Sequence, residues 1–254
     1  MRSKLVSVII PSFNRVHTLD RAISSVKRQN YNNIEVVIID DASTDATQNF
    51  LKDYDFGNLQ YKIIKNTVNL WISTSRNIWI EKSLGDYVAF LDSDDEWIET
   101  NKIKLQTDFL DKNLDYWFVG TECELDIPHP IKTEMKNIHT DKDFREIALS
   151  YFFIHIDTWL LRRETIDAIG KFWKHRCEDY EYLLRIWLKT KFGFLILPSA
   201  HYHNNTNGDH SIKIFLTWIT RFYIIFRYAK FYPHFWRHFL NRLFRCVEKW
   251  LSFK

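Results

Sequence analysis

Ile34-Glu35-Val36-Val37-Ile38-Ile39-Asp40-Asp41-Ala42-Ser43-Thr44-Asp45 and Tyr87-Val88-Ala89-Phe90-Leu91-Asp92-Ser93-Asp94-Asp95 are the two stretches that decide the fold. Each is an apolar, β-branched or aromatic run that stops in a cluster of carboxylates. A strand buried on both faces of a parallel sheet reads as such a continuous run, without polar alternation. In an open α/β sheet, ligands bind just beyond the carboxyl ends of the strands. Carboxylates at those two positions therefore face a site. Two such clusters in one short sheet point to a phosphorylated ligand held through a divalent cation.

Outward from these runs, strand and helix alternate. Leu5–Ile10 reads as a first strand ended by Pro11. Thr18–Gln29 reads as a helix capped by Thr18, with Leu19, Ala22, Ile23 and Val26 on one stripe. The second strand is expected over Glu35–Ile39. A helix is expected over Asp45–Tyr54, capped by Ser43 or Thr44. A short strand over Tyr61–Lys65, a helix over Ser73–Ser83 stopped by Gly85, and a strand over Tyr87–Leu91 complete a doubly wound pattern with right-handed crossovers. Beyond Asp95 the regularity weakens. Helices are expected at Lys102–Asp111 and Tyr180–Lys189, strands at Trp117–Leu125 and Ile154–Leu161, and loops at Asp126–Asp141 and His201–His210. Helix returns from Ile212. The expected division is residues 1–212 as one α/β domain, with a nucleotide-binding half over 1–96 and an acceptor-binding half over 97–212, followed by a helical tail over 213–254.

The 254 residues carry a formal charge of +3, which hides an asymmetry. Residues 213–254 hold nine Lys/Arg against one acid, Glu248, leaving residues 1–212 at −5. In the tail Phe235, Leu240, Leu243, Phe244, Val247, Trp250 and Leu251 recur at helical spacing, with Arg237, Arg242, Arg245 and Lys249 between them. An apolar aromatic face beside a basic one is the pattern of a helix lying on an anionic membrane surface. Packing on the body or on a second copy, as a homodimer, is the alternative. No nucleic-acid module is recognisable, so nucleic acid is not expected as a partner. Cys123, Cys177 and Cys246 are odd in number and far apart, forming neither a disulfide framework nor a zinc spacing, which suits a reducing cytosol. No uncharged apolar stretch approaches the ~20 residues needed to span a bilayer. The expected location is cytoplasmic, peripheral on the inner face of the cell membrane.

Alternate residues at a strand end, as in Asp92-Ser93-Asp94, aim two carboxylates into one space. Mg²⁺ or Mn²⁺ takes oxygen ligands and is often held by one or two carboxylates plus substrate phosphates. The same acids could instead cap a helix, and Asp45 fits such a role better than a ligand role. Asp40 and Asp41 could accept from a base N–H and ribose hydroxyls. Glu178-Asp179 precedes an apolar helix, where a carboxylate could act as general base or as an N-terminal charge pair. His203 is a candidate metal or phosphate contact in a polar segment.

Together these residues resemble the family 2 inverting glycosyltransferases of the GT-A fold. The resemblance rests on Ser7-Val8-Ile9-Ile10-Pro11-Ser12-Phe13-Asn14-Arg15, Val37 to Asp45, Ser75-Arg76-Asn77, Gly85 to Asp95 and Glu178-Asp179. It is dense over residues 5–96 and thinner to about 212. It implies a Rossmann-like, mostly parallel sheet flanked by helices. It implies a nucleotide-sugar donor, with UDP-sugar expected, contacted by Pro11, Asn14, Asp41, Arg76 and Asp92. Asp41 would meet the base N3–H, Asp94 and Asp92 with His203 would hold Mn²⁺ or Mg²⁺, and Asp179 would be the catalytic base. The acceptor would be a lipid-linked or cell-surface glycan, as in lipopolysaccharide or capsule assembly. The rival reading is a non-catalytic sugar-nucleotide-binding subunit of a membrane complex. One departure stands out: Trp71 occupies a loop position where the family usually has glycine, so a different backbone is expected there.

Overall fold

Val6–Ser12 (β1) and Ile34–Asp40 (β2) pair in parallel, Val6 against Ile34 through Ser12 against Asp40, and every residue of β2 is buried. Side chains alternate across a strand, and here both faces are covered. Ile9, Val37, Ile39, Val88 and Phe90 enter one core; Val8, Ile10, Val36, Ile38, Ala89 and Leu91 enter the other. That is why both runs lack polar alternation. Burying each Val or Ile side chain contributes about 1.5–3 kcal/mol.

The computed structural model describes residues 3–126, 154–203 and 211–231, with Leu240 and Phe244. Among them are helices α1 (Leu19–Lys27), α2 (Thr47–Asp53), α3 (Ile72–Lys82), α4 (Lys102–Lys112), α5 (Arg163–Ile169), α6 (Glu178–Lys189) and α7 (Ser211–Tyr228). The further strands are β3 (Gln60–Lys65), β4 (Tyr87–Phe90), β5 (Glu96–Trp97), β6 (Tyr116–Leu125), β7 (Leu160–Arg162) and β8 (Lys191–Tyr202). They form one mixed sheet in the order β3-β2-β1-β4-β7-β6-β8-β5. The β1, β2, β3 and β4 pairings are parallel, β7 runs antiparallel to β4 and β6, and β6 and β8 are parallel. One core lies under α1, α2 and α4, the other under α3, α5, α6 and α7.

The first half follows the expected alternation, with ends shifted by at most two residues. Pro11 does not end β1: it pairs with Ile39, two positions beyond the last β4 partner, Ile9. Strand β1 has a neighbour on one side only there, which is where proline is tolerated. The N-cap of α2 is Ala46, in place of Ser43 or Thr44, and Asp45 one residue earlier accepts from Thr47 N on Oδ1 at 2.9 Å. In the second half, the strand expected over Ile154–Leu161 is a 3₁₀ turn (Ile156–Thr158) followed by the short β7. His201 and Tyr202 belong to β8 and not to a loop. The remainder of that segment, 204–210, and the loop expected beyond Asp126 lie outside the described residues, as does most of the tail beyond 231.

Gly85 closes the entry to β4. Its N–H donates to Ser7 Oγ at 2.7 Å, and a Cβ there would stand 2.5 Å from that oxygen and 2.6 Å from Ser7 N and Tyr87 O. Two of these are backbone atoms, so the strand would have to move. Gly85→Ala is expected to cost about 1–3 kcal/mol, read as a lower midpoint in urea denaturation.

Helix α7 is held to α6 by buried Ile224, Ile225 and Tyr228, the last donating from its hydroxyl to Glu181 Oε1. Leu216, Ile219, Tyr223 and Phe226 remain exposed at spacings of three and four. Among the described residues no helix is long and apolar enough to cross a membrane.

Candidate active site

The carboxyl ends of β1, β2 and β4 converge with the N-termini of α3 and α6, and the backbone there is strained. Four described residues other than glycine have positive φ: Asn14 (53°) after β1, Ala42 (64°) after β2, Trp71 (66°) before α3 and Cys177 (59°) before α6. All four border this one region, and outliers of this kind concentrate at functional sites.

Arg76 of α3 lies at its centre, 2% exposed. Its Nη2 donates to Asp92 Oδ1 at 2.9 Å and its Nη1 to Glu178 Oε1 at 2.5 Å. One planar guanidinium thus ties the end of β4 to the start of α6, a geometry suited to arginine's fork. Burial opposes the charge on Arg76, but Asp92 and Glu178 outweigh it and its pKa is raised. Burial pushes the carboxyls of Asp92 and Glu178 upward against the pull of Arg76. Asp179, half-buried in the first turn of α6, acts electrostatically on Arg76, Glu178 and His155, which puts its carboxylate in the same site.

On the β2 side, Asp41 Oδ1 accepts from Asn66 Nδ2 at 2.7 Å and from Leu70 N at 3.0 Å. Among the described residues no donor meets its Oδ2. Pro11 lies one position before the end of β1, level with Ile39 on β2. Asn14 serves as a clasp: its Oδ1 accepts from Thr44 N at 2.8 Å and Asp45 N at 3.3 Å, and its N–H donates to Ser43 Oγ. That carbonyl is engaged in joining the loops after β1 and β2.

Asp92 and Asp94 are each about a fifth exposed, at 22% and 21%. Asp94 Oδ2 pairs with Arg15 Nη2 at 3.0 Å. His203 reaches this turn through its backbone, its N–H donating to Asp95 Oδ1 at 2.8 Å. Its imidazole stacks on His201 and lies 3.4 Å from Glu96 Oε1, so that Glu96, His201 and His203 offer ligand atoms within 4.8 Å of one another. The two partly exposed carboxylates after β4 are oxygen donors that fit Mg²⁺ or Mn²⁺, and the separate Glu96, His201 and His203 group lies where β5 pairs with β8.

Residues 7–170 match the family described as Glycosyl transferase family 2. The chain belongs to that family. It is 32% identical to an uncharacterised glycosyltransferase of Haemophilus influenzae over 202 residues, 79% of this chain and 78% of that one. It is 39% identical over 113 residues to the Escherichia coli UDP-Glc:alpha-D-GlcNAc-diphosphoundecaprenol beta-1,3-glucosyltransferase WfgD, a match that spans 44% of each chain. Its fold is similar to that of Staphylococcus aureus TarS 1-349 in complex with UDP-GlcNAc, with a TM-score of 0.70 at 20% identity, covering 87% of this chain and 64% of that one. The expected GT-A architecture is therefore present, and the chain is a bacterial-type family 2 glycosyltransferase enzyme.

Several residues that build this candidate site escaped the sequence reading. Asn66, at the end of β3, holds Asp41; an Asn just past a strand was its only signal. Asp157, fully buried, accepts Asp92 N on Oδ1 at 2.7 Å, and its Oδ2 lies 2.9 Å from His155 Nδ1. Burial works against the charge on His155, but Asp157 and Asp92 raise its pKa to about 9. Burial and the neighbouring Asp157 push the Asp95 carboxyl upward beneath the turn. Nothing in the spacing of His155 and Asp157 announces this support, because it is made across strands.

Lys102, fully buried at the start of α4, donates to Gln106 Oε1 at 2.8 Å and sits 4.4 Å from the Trp97 ring centroid. Burial lowers its pKa to about 7, with Asp157 opposing. The unfolded chain, with a lysine near 10.5, binds the extra proton through the window between these values. Stability supplied by neutral Lys102 is thus lost as pH falls toward 7, with a limiting slope of about 1.4 kcal/mol per pH unit. Lys102→Met is expected to flatten that slope between about pH 7.5 and 9.5 in urea denaturation.

Proposed function

We propose that this enzyme moves a sugar from a UDP-sugar to a hydroxyl of a lipid-linked saccharide, with inversion at the anomeric carbon. The observation that carries the reading is the Arg76 bridge, which joins the Asp92–Asp94 turn to the Glu178-Asp179 helix start within reach of both. Asp179 takes the proton of the acceptor hydroxyl, whose oxygen forms the new bond to the anomeric carbon. The bond from that carbon to the diphosphate oxygen breaks, and its electron pair leaves with the nucleoside diphosphate. Asp41, held by Asn66 and Leu70, offers Oδ2 to the N3–H of uracil, and Arg76 keeps Asp92 in place. A divalent cation held by Asp94 and Asp92, with His203, would neutralise the departing diphosphate.

UDP is favoured as the nucleotide because the TarS neighbour is described with UDP-GlcNAc and the WfgD relative is named for UDP-Glc. The lipid-linked acceptor is favoured by the diphosphoundecaprenol substrate in the name of WfgD and by the tail's charge of +8. The exposed Leu216, Ile219, Tyr223 and Phe226 stripe of α7 would then lie on an anionic, cytoplasmic membrane face. Replacing Leu216, Ile219 and Phe226 by Ser is expected to reduce cosedimentation with phosphatidylglycerol vesicles severalfold; undiminished cosedimentation refutes the membrane role.

The donor assignment is tested by calorimetry with UDP, GDP and dTDP, each with Mn²⁺ and with EDTA, on wild type and Asp94→Asn. The expected result is UDP binding that needs the cation and weakens in Asp94→Asn. Absence of binding to all three rejects the donor reading.

A further inference from the structure

Trp71 sits in a strained backbone conformation. Its backbone sits at φ 66° and ψ 153°, a region essentially reserved for glycine. The loop takes a glycine-type conformation and holds a tryptophan in it. Asn14 is a residue type that tolerates positive φ, and Cys177, at ψ 36°, lies in the ordinary left-handed well. Trp71 has neither excuse.

The fold gains little from the side chain in return. The residue is 77% exposed and belongs to neither core. Trp71 takes part in the loop's bonds through its own backbone only: its N–H donates to Asn69 Oδ1 at 3.0 Å, and its carbonyl accepts from Ser75 N–H at 3.0 Å. Glycine would make both. A bulky apolar side chain that strains its own backbone and contributes almost nothing to packing has its use outside the folded chain.

Its position names the occupant. The preceding residue, Leu70, donates its N–H to Asp41 Oδ1, and the same oxygen holds Asn66. Trp71 therefore follows directly on the carboxylate at the base end of the site. The phosphate end, at Asp92 and Asp94, is reached by Arg76 from the second turn of the same helix. We infer that the Trp71 indole is a stacking platform for the pyrimidine base of the nucleoside diphosphate donor. Base–indole stacking is indifferent to hydrogen-bond pattern and strong for its area. It adds affinity on the base, while Asp41 supplies the choice of base. The inference rests on the donor reading above and adds to it a residue that sets donor affinity.

The test compares Trp71→Gly, Trp71→Ala and Trp71→Phe with wild type, by UDP calorimetry with Mn²⁺ and by thermal unfolding without ligand. Trp71→Gly is expected to raise the midpoint of unfolding, because the strain is released, and to weaken UDP roughly tenfold. Trp71→Ala is expected to weaken UDP equally, and Trp71→Phe to keep most of the affinity. Inhibition of transfer by inorganic pyrophosphate, which has no base, is expected to be the same in all four proteins. Stability and affinity moving in opposite directions is a signature that a structural role does not produce. Trp71→Gly binding UDP as wild type does, or losing pyrophosphate inhibition in equal measure, overturns the stacking role alone. Wild type that binds no nucleoside diphosphate overturns the donor reading and the stacking role together.

Discussion

Asp179→Asn is expected to lower the rate of sugar transfer by about 10²–10⁴-fold, the span of general-base catalysis, with UDP affinity within roughly twofold of wild type. Asn has nearly the shape of Asp and still accepts from Tyr180 N through its Oδ1, as Asp179 does at 2.8 Å. The start of α6 therefore survives, and Glu178 keeps its bond to Arg76. What is removed is the capacity to take a proton. Single-turnover measurement with a radiolabelled donor separates the chemical step from binding. A variant that transfers at the wild-type rate would assign the base to another group, and a variant that loses UDP binding would make Asp179 part of the donor site.

Arg76→Gln is expected to cost about 3–5 kcal/mol of stability, the usual penalty for stranding buried partners of opposite charge, and to abolish measurable donor binding. Two carboxylates from distant elements would be left facing one another with no cation between them. Arg76→Lys is expected to restore little, since an ammonium lacks the planar fork that reaches Asp92 and Glu178 at once. The pair Arg76→Met with Glu178→Gln is expected to recover much of the stability, through removal of the unpaired charge, and none of the transfer. Urea denaturation and donor calorimetry on the same samples check both halves. Full stability in Arg76→Gln would mean that the bridge does not hold the two elements together.

The carboxyl-end acids at Asp41, Asp92 and Asp94 were legible because strand periodicity and the switch-point rule both act locally. The same local logic placed Asp45 at a helix start, where its Oδ1 accepts from Thr47 N. Asn14, which the resemblance places at the nucleotide, also ties two loops through its carbonyl, a link between residues about 30 apart that local periodicity does not encode. Local periodicity failed over Ile154–Leu161, where the apolar run conceals buried Asp157 and Thr158. Their backbone turns through a 3₁₀ segment so that Asp157 can receive Asp92 N, and no pattern of hydrophobicity encodes a bond between residues 65 apart. Strand β8 was missed because its burial is irregular and its pairing with β6 carries three register shifts.

The sequence by itself determined the alternating α/β order, the two fully buried strands, the acidic strand ends and the basic, aromatic tail, because each is written in side-chain periodicity or charge over a few neighbouring residues. The tertiary structure alone decided that Arg76 spans 102 residues to Glu178, that Asp157 and His155 support the Asp92 turn, and that Trp71 is strained and exposed beside Asp41. These depend on which chain ends the sheet order brings together and on which groups lose water there. Neither quantity exists until the chain is folded.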